Sequence, residues 1–158
     1  ELDYPTRDEE AVVLERMAHP EVNLEATTVA SLDDVLEARK WVDKVYLDEK
    51  ISDYILDIVF ATRVDKHDQL SERQKDADLS EFANLIQYGT SPRATISLAI
   101  AAKAVAFLDC RAYVVPQDVK DIAPDVLRHR IVPTYEAEAE NLSNTDLITR
   151  LLNELRTP

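Results

Sequence analysis

The stretch Tyr88–Leu108, YGTSPRATISLAIAAKAVAFL, contains the single glycine of a 158-residue chain and its most apolar run. Ser91 is a residue type that caps helix N-termini, and Pro92 suits the first helical position, where its missing N–H removes no bond. The pattern therefore predicts a helix from Pro92 to about Leu108, with Arg93 at its second position. Such a helix is apolar almost all round, so it is expected at the centre of a helical bundle. It carries Lys103, Thr95 and Ser97, which fits a buried core helix and no membrane span. Arg93 raises a question, because a cation in the first turn opposes the helix dipole. Either the site is indifferent to it, or the arginine has an anion to meet.

The rest of the composition agrees with a mainly α-helical fold. Hydrophobic residues make up 46% and charged residues 31%, which suits a soluble globular domain with a real core. The net charge of −13 argues against a nucleic-acid binder and against docking on an anionic membrane. One cysteine, Cys110, excludes an intrachain disulfide and fits a reducing, cytoplasmic setting. The first residue is Glu1 and no signal peptide is present, so a piece of a longer protein is expected.

Outward from the central helix, local signals mark further elements. Thr6 with Glu9 forms a capping box that predicts a helix from Arg7 to about Ala18, stopped by His19-Pro20. Thr27–Ala30 suggests a short extended piece. Ser31 with Asp34 caps a second helix, with Leu32, Val35, Leu36, Val42 and Val45 as its buried side and Trp41 in the core. After Leu47, Ile51, Tyr54, Ile55, Ile58, Val59 and Thr62 share one face of a third helix. Residues 64–81 lack a steady period and are expected as a mobile, charged surface loop. The run 82–89, FANLIQYG, is open between strand and helix. Tyr113–Val115 is expected to be extended before a helix starting at Pro116, which Pro124 should divide in two. Residues 133–158 form an acidic stretch, alternating near Tyr135, and a last helix from about Thr145 to Arg156.

Most self-contained chemistries find no support. His19, His67 and His129 are isolated, and none stands at metal-ligand spacing. Cys110 has no histidine near it and reads as a small buried side chain. A P-loop needs two glycines and a dinucleotide fingerprint three, so a chain with one can build neither. Gly89 can supply a turn that other residues avoid, and the free N–H groups of a capped helix favour an anion, onto which Arg93 can fork. On local chemistry alone, a capped core helix with a surface arginine competes with a phosphate contact.

The segment 89–131, GTSPRATISLAIAAKAVAFLDCRAYVVPQDVKDIAPDVLRHRI, resembles the C-terminal lid of MoxR-type AAA+ ATPases. Shared features are a G-A-S-P-R-A form, a long alanine-rich helix, a Y-V-x-P-x-D-V segment and a V-L-R-H-R ending. The opening DYPTRDEE, the segment ISDYILDIVFATR and the tail after Thr134 are also similar, with 64–81 the weakest part. The resemblance implies a helical-bundle lid domain over residues 1–158, with short extended segments at most. It further implies that Arg93 is a sensor-2 arginine contacting ATP phosphates, with Ser91 and Pro92 shaping the site. ATP and its Mg would be held by an absent core carrying Walker A and Walker B. The partners it implies are that core in the same polypeptide, a hexameric ring at full length, and client proteins with von Willebrand factor A domains. By itself the chain would not hydrolyse ATP. Two departures stand out: Thr90 replaces the usual alanine, and Cys110 sits where a glycine commonly ends the long helix. Arg128, His129 and Arg130 read as helix C-terminal charge, with Glu136, Glu138 or Glu140 as candidate partners. The competing reading is a free-standing acidic helical adaptor that binds protein and no nucleotide.

Overall fold

The computed structural model of the chain describes residues 4–18 and 27–158. The chain divides into two compact units, Glu1–Asp34 and Val35–Pro158. In the first unit, α1 spans Arg7–Met17. Its capping box is as expected: Thr6 N–H and hydroxyl donate to Glu9 at 2.7 and 2.8 Å, and Glu9 N–H returns to Thr6 Oγ1. The His19-Pro20 stop lies outside the described residues. Residues 27–30 form no regular strand. Ser31 and Asp34 cap the next helix reciprocally.

That helix, α2 (Leu32–Lys44), differs from the reading of its buried side, because none of its residues is buried. Val45, just past its end, reaches the core, whereas Leu32, Val35 and Leu36 are exposed. Trp41 is half exposed and is not a core residue; the Lys44 ammonium stands 4.2 Å from its ring centroid, a contact that suits an aromatic face at the surface. Val42 and Asp43 instead border an open groove across from two later helices.

The core belongs to the second unit. Helix α3 (Glu49–Ala61), capped by Asp48, buries the face read from its spacing: Ile51, Tyr54, Ile55, Ile58 and Val59. The central helix α5 spans Pro92–Leu108, as its cap signals predict. Ala94, Leu98, Ala102 and Ala106, four residues apart, form its buried stripe. The three alanines let neighbouring backbones come close, and α5 packs on α6 (Pro116–Leu127) and α3. Its other side is not buried: Ile96, Ile100 and Leu108 are exposed, so α5 lines one wall of the bundle and is not enclosed. Helix α8 (Asn144–Glu154) closes the core with Ile148, Leu151 and Leu152.

Several boundaries follow tertiary contacts. Residues 82–88 contain both structures, a short helix α4 (Phe82–Leu85) and a strand β1 (Ile86–Tyr88). Strand β1 pairs antiparallel with β2 (Val132–Pro133). The alternating piece near Tyr135 is a helical turn, α7 (Tyr135–Ala139), begun by Thr134. Pro124 does not divide α6, which runs on to Leu127. Tyr113 forms a parallel bridge with Tyr46, and Val114 N–H donates to Tyr46 O at 3.0 Å.

The charged segment 64–81 contains two 3-10 turns, Val64–Gln69 and Glu72–Gln74. Asp57 on α3 is buried and accepts from Ser71 N–H (2.9 Å), the Ser71 hydroxyl (2.7 Å) and Gln74 Nε2 (3.2 Å). The Gln74 amide also clasps the Arg156 backbone, donating to its carbonyl at 2.9 Å and accepting its N–H at 2.8 Å. Burial, together with the charge of Asp57, pushes the Tyr54 hydroxyl up to about 12.

Helix α5 ends in a paired hydrogen-bond turn. Arg111 N–H returns to Ala106 O and Cys110 N–H to Phe107 O, with Cys110 at φ 56°. This is the left-handed position that glycine usually fills. Cys110 is exposed and not buried, since its side chain points from a turn. The next connection is tied by Arg111, which grips Asp118 with two hydrogen bonds of 2.8 and 2.5 Å while Asp118 also accepts Val115 N–H. Burial alone would raise the Asp118 carboxyl, but the guanidinium and the N–H outweigh it and hold it below the usual range.

Candidate functional site

The start of α5 is set by the last turn of α3. A Cβ on Gly89 would lie 2.2 Å from the Thr62 carbonyl oxygen and 2.9 Å from its Oγ1. Its φ is not in the left-handed region, so glycine is required here by close backbone approach and not by turn conformation.

Thr90 is then held at three atoms. The Thr62 hydroxyl donates to Val59 O at 2.7 Å, which commits its one proton. The same oxygen accepts the Thr90 N–H at 3.1 Å and stands 3.1 Å from the Thr90 hydroxyl, which is left as the donor of that pair. On the opposite side of Thr90, Arg63 Nε donates to its carbonyl at 2.8 Å. The Arg63 guanidinium lies 4.7 Å from the Phe60 ring centroid. Thr62 and Thr90 are fully buried, or nearly so. The Thr90 hydroxyl, which the usual alanine would lack, thus adds a bond to this latch.

From that fixed point the chain enters α5. Ser91 is extended and its carbonyl accepts Ala94 N–H at 2.9 Å, but its hydroxyl makes no cap bond, contrary to its role as a side-chain cap. Pro92 is the first helical residue and Arg93 the second. Arg93 is exposed and makes no hydrogen bond or ion pair with another described residue. No acidic residue stands in the first turn of α5. Pro92 has no N–H and Ala94 N–H is taken by Ser91, so the helix end combines the positive end of the dipole, the Arg93 N–H and an unengaged guanidinium, a set that attracts an anion.

Ser91, Pro92 and Arg93 follow one another at the start of α5, and Thr62, Arg63 and Thr90 hold the turn that leads into them. The solitary glycine was the one local sign of that arrangement. Arg128 caps the end of α6 and pairs with Asp125 at 2.7 Å, while Arg130 reaches Ser97 Oγ at 3.3 Å. Neither pairs with Glu136, Glu138 or Glu140. Beside the site, the exposed side of α5 (Ile96, Ile100) meets Leu56 and Val42 in an apolar groove of about 570 Å³, rimmed by Arg39 and Lys103. Among the described residues no cluster of His, Cys, Asp and Glu could hold a metal ion. No described helix is long and apolar enough to cross a membrane.

Comparisons with known proteins converge on these elements. The AAA lid domain family matches residues 78–151, from the end of the charged segment to α8. Chaperone MoxR1 of Mycobacterium tuberculosis is 34% identical over 99% of this chain, which covers 39% of that relative. The uncharacterized protein YeaC of Bacillus subtilis is 31% identical over 99% of this chain, covering 43% of it. A crystallised protein of Cytophaga hutchinsonii assigned as an ATPase superposes with a TM-score of 0.86 at 37% identity, over 99% of this chain and 45% of that one. The chain thus spans less than half the length of each.

Proposed function

We propose, for a chain that belongs to the AAA+ lid domains of the MoxR family, that it serves as the nucleotide-responsive lid of an ATPase, with Arg93 as its sensor-2 residue. The observation that carries the proposal is the unengaged, exposed guanidinium at the latched N-terminus of α5. In a chain bearing 31 acidic residues, a cation without a carboxylate partner among the described residues stands ready for an external anion. A polyphosphate suits it, because three or more oxygens can take both the guanidinium fork and the Arg93 N–H.

The chain's own residues fit only part of ATP. Its single glycine is occupied by the close contact with Thr62, so no glycine loop is available to wrap phosphates. The phosphate cradle and Mg therefore belong to a separate ATPase core. Arg93 would stabilise charge developing on the γ-phosphate, and α5 would carry the nucleotide state into the bundle. Assembly of such subunits into a hexameric ring in the cytoplasm, and chaperone-like remodelling of client proteins such as those with von Willebrand factor A domains, complete the reading.

Arg93→Ala in the full-length protein tests it. ATP turnover should fall by about 10²-fold or more while the fold is retained. Unchanged turnover and unchanged nucleotide affinity would instead favour an acidic adaptor, docking partners through the apolar groove beside α5.

A further inference from the structure

We infer that Arg63 is a positioning residue for Arg93, an inference that rests on the phosphate role proposed above. Arg63 ends the α3 segment and lies thirty positions from Arg93 in sequence, yet it holds the residue from which the α5 turn departs. Its Nε–H is given to the neutral carbonyl of Thr90, and its guanidinium plane lies against Phe60. It makes no ion pair with any described carboxylate, which sets it apart from Arg111, Arg128, Arg150 and Arg156. A guanidinium fixed on two sides and aimed at a carbonyl acts as a strut.

The geometry explains what the strut controls. Thr62 takes the N–H and hydroxyl of Thr90, and Arg63 takes its carbonyl from the other side. Together they fix the position of Thr90 and the tilt of the peptide plane that leads into Ser91. From there Pro92 has a restricted φ, and Arg93 is the second residue of a helix. Few soft dihedrals separate the latch from the Arg93 Cα. Without Arg63, the Thr90 peptide can rotate about the remaining Thr62 contacts, and the base of the Arg93 side chain swings with it. Thr62 serves the same turn from the opposite side, so it provides an independent perturbation of the same device.

The test uses the full-length protein and four variants: Arg93→Ala, Arg63→Ala, Arg63→Lys and the double Arg63→Ala/Arg93→Ala. Misplacing a phosphate contact by roughly an ångström should lower kcat for ATP by about 10- to 100-fold in Arg63→Ala. Affinity for ADP, which lacks the γ-phosphate, should not change, whereas a merely structural role would weaken both nucleotides alike. The double variant should be no slower than Arg93→Ala, because the two residues act through one contact. Arg63→Lys, which can still donate to the Thr90 carbonyl, should recover part of the rate. Should Arg63→Ala not fold, Thr62→Val must reproduce the same split between kcat and ADP affinity. Parental kcat in Arg63→Ala beside a crippled Arg93→Ala overturns the positioning role alone. So does full additivity in the double variant, which would mean that Arg63 acts on the nucleotide or the fold independently. Parental kcat in Arg93→Ala overturns the phosphate reading itself, and the inference with it.

Discussion

Replacing Gly89 with alanine separates close approach from simple loop flexibility, because the two give opposite signs. The added methyl would stand 2.2 Å from the Thr62 carbonyl oxygen, and a real Cβ does not approach another heavy atom within 3.0 Å. The obstruction is backbone at the end of a buried helix, so the Gly89–Thr90 turn must retreat by most of an ångström. Retreat breaks the Thr90 N–H and hydroxyl bonds to Thr62 and stretches the Arg63 bond to the Thr90 carbonyl. Three hydrogen bonds at about 1 kcal/mol each give a loss of about 3 kcal/mol. Restricting the unfolded chain returns about 0.4–1 kcal/mol. The net loss of about 2–3 kcal/mol corresponds to a fall in Tm of about 4–10 °C for a domain of this size. Urea unfolding followed by near-UV circular dichroism, with calorimetry for Tm, measures it. A lower midpoint at constant m is the expected result. An unchanged or raised midpoint, as for a glycine in open space, would refute the packing argument.

Other consequences are equally measurable. Cys110→Gly should raise the unfolding free energy by about 0.5–1 kcal/mol, read as a higher urea midpoint, since glycine relieves the left-handed strain at φ 56° while loosening the unfolded chain. Asp118→Asn should cost about 1–3 kcal/mol by weakening the Arg111 grip and the Val115 cap. Because the folded carboxyl titrates below its unfolded value, its contribution is complete above the unfolded pKa and lost as pH falls through the folded one. Stability of the parent should thus drop more steeply than that of Asp118→Asn as pH falls through and below the ordinary carboxylate range in acid titrations. Gln74→Ala removes both bonds to the Arg156 backbone and one to Asp57. Hydrogen exchange at the Arg156 amide should accelerate strongly, with little change in the centre of α5.

The elements legible in the sequence are those governed by neighbours along the chain. The reciprocal caps at Thr6 and Ser31, the apolar face of α3, and the Ser91-Pro92 start that places Arg93 all depend on residues within a few positions. What escaped depends on residues brought together from afar. Thr62 and Thr90 are 28 positions apart, so nothing local tells that Gly89 is there to admit a carbonyl. In the sequence Asp57 has nothing to mark it among the chain's many acids, yet it is buried and anchors a segment that lacks any period of its own. Trp41 and the apolar side of α2 lie at the surface, against their hydrophobic pattern, because hydrophobicity says what can be buried, not what arrives to cover it. Pro124 shows the converse, a helix held through a breaker by its packing on α5 and α8.

The clasp between Gln74 and Arg156 also dictates an order of events during synthesis. It joins residues 82 positions apart, the longest span among the side-chain hydrogen bonds described above. Chains are made from the N-terminus, and contacts of large sequence separation form late. Helices α3, α5 and α6 can begin to assemble as they emerge, but the Asp57–Gln74 segment lacks its final anchor until Arg156 has been made. Ile148, Leu151 and Leu152 reach the core only at that stage as well. A nascent chain halted before α8 would therefore expose one side of the bundle core and leave the 64–81 segment without its Gln74–Arg156 clasp, so residues 144–158 act as the closing stitch of the domain.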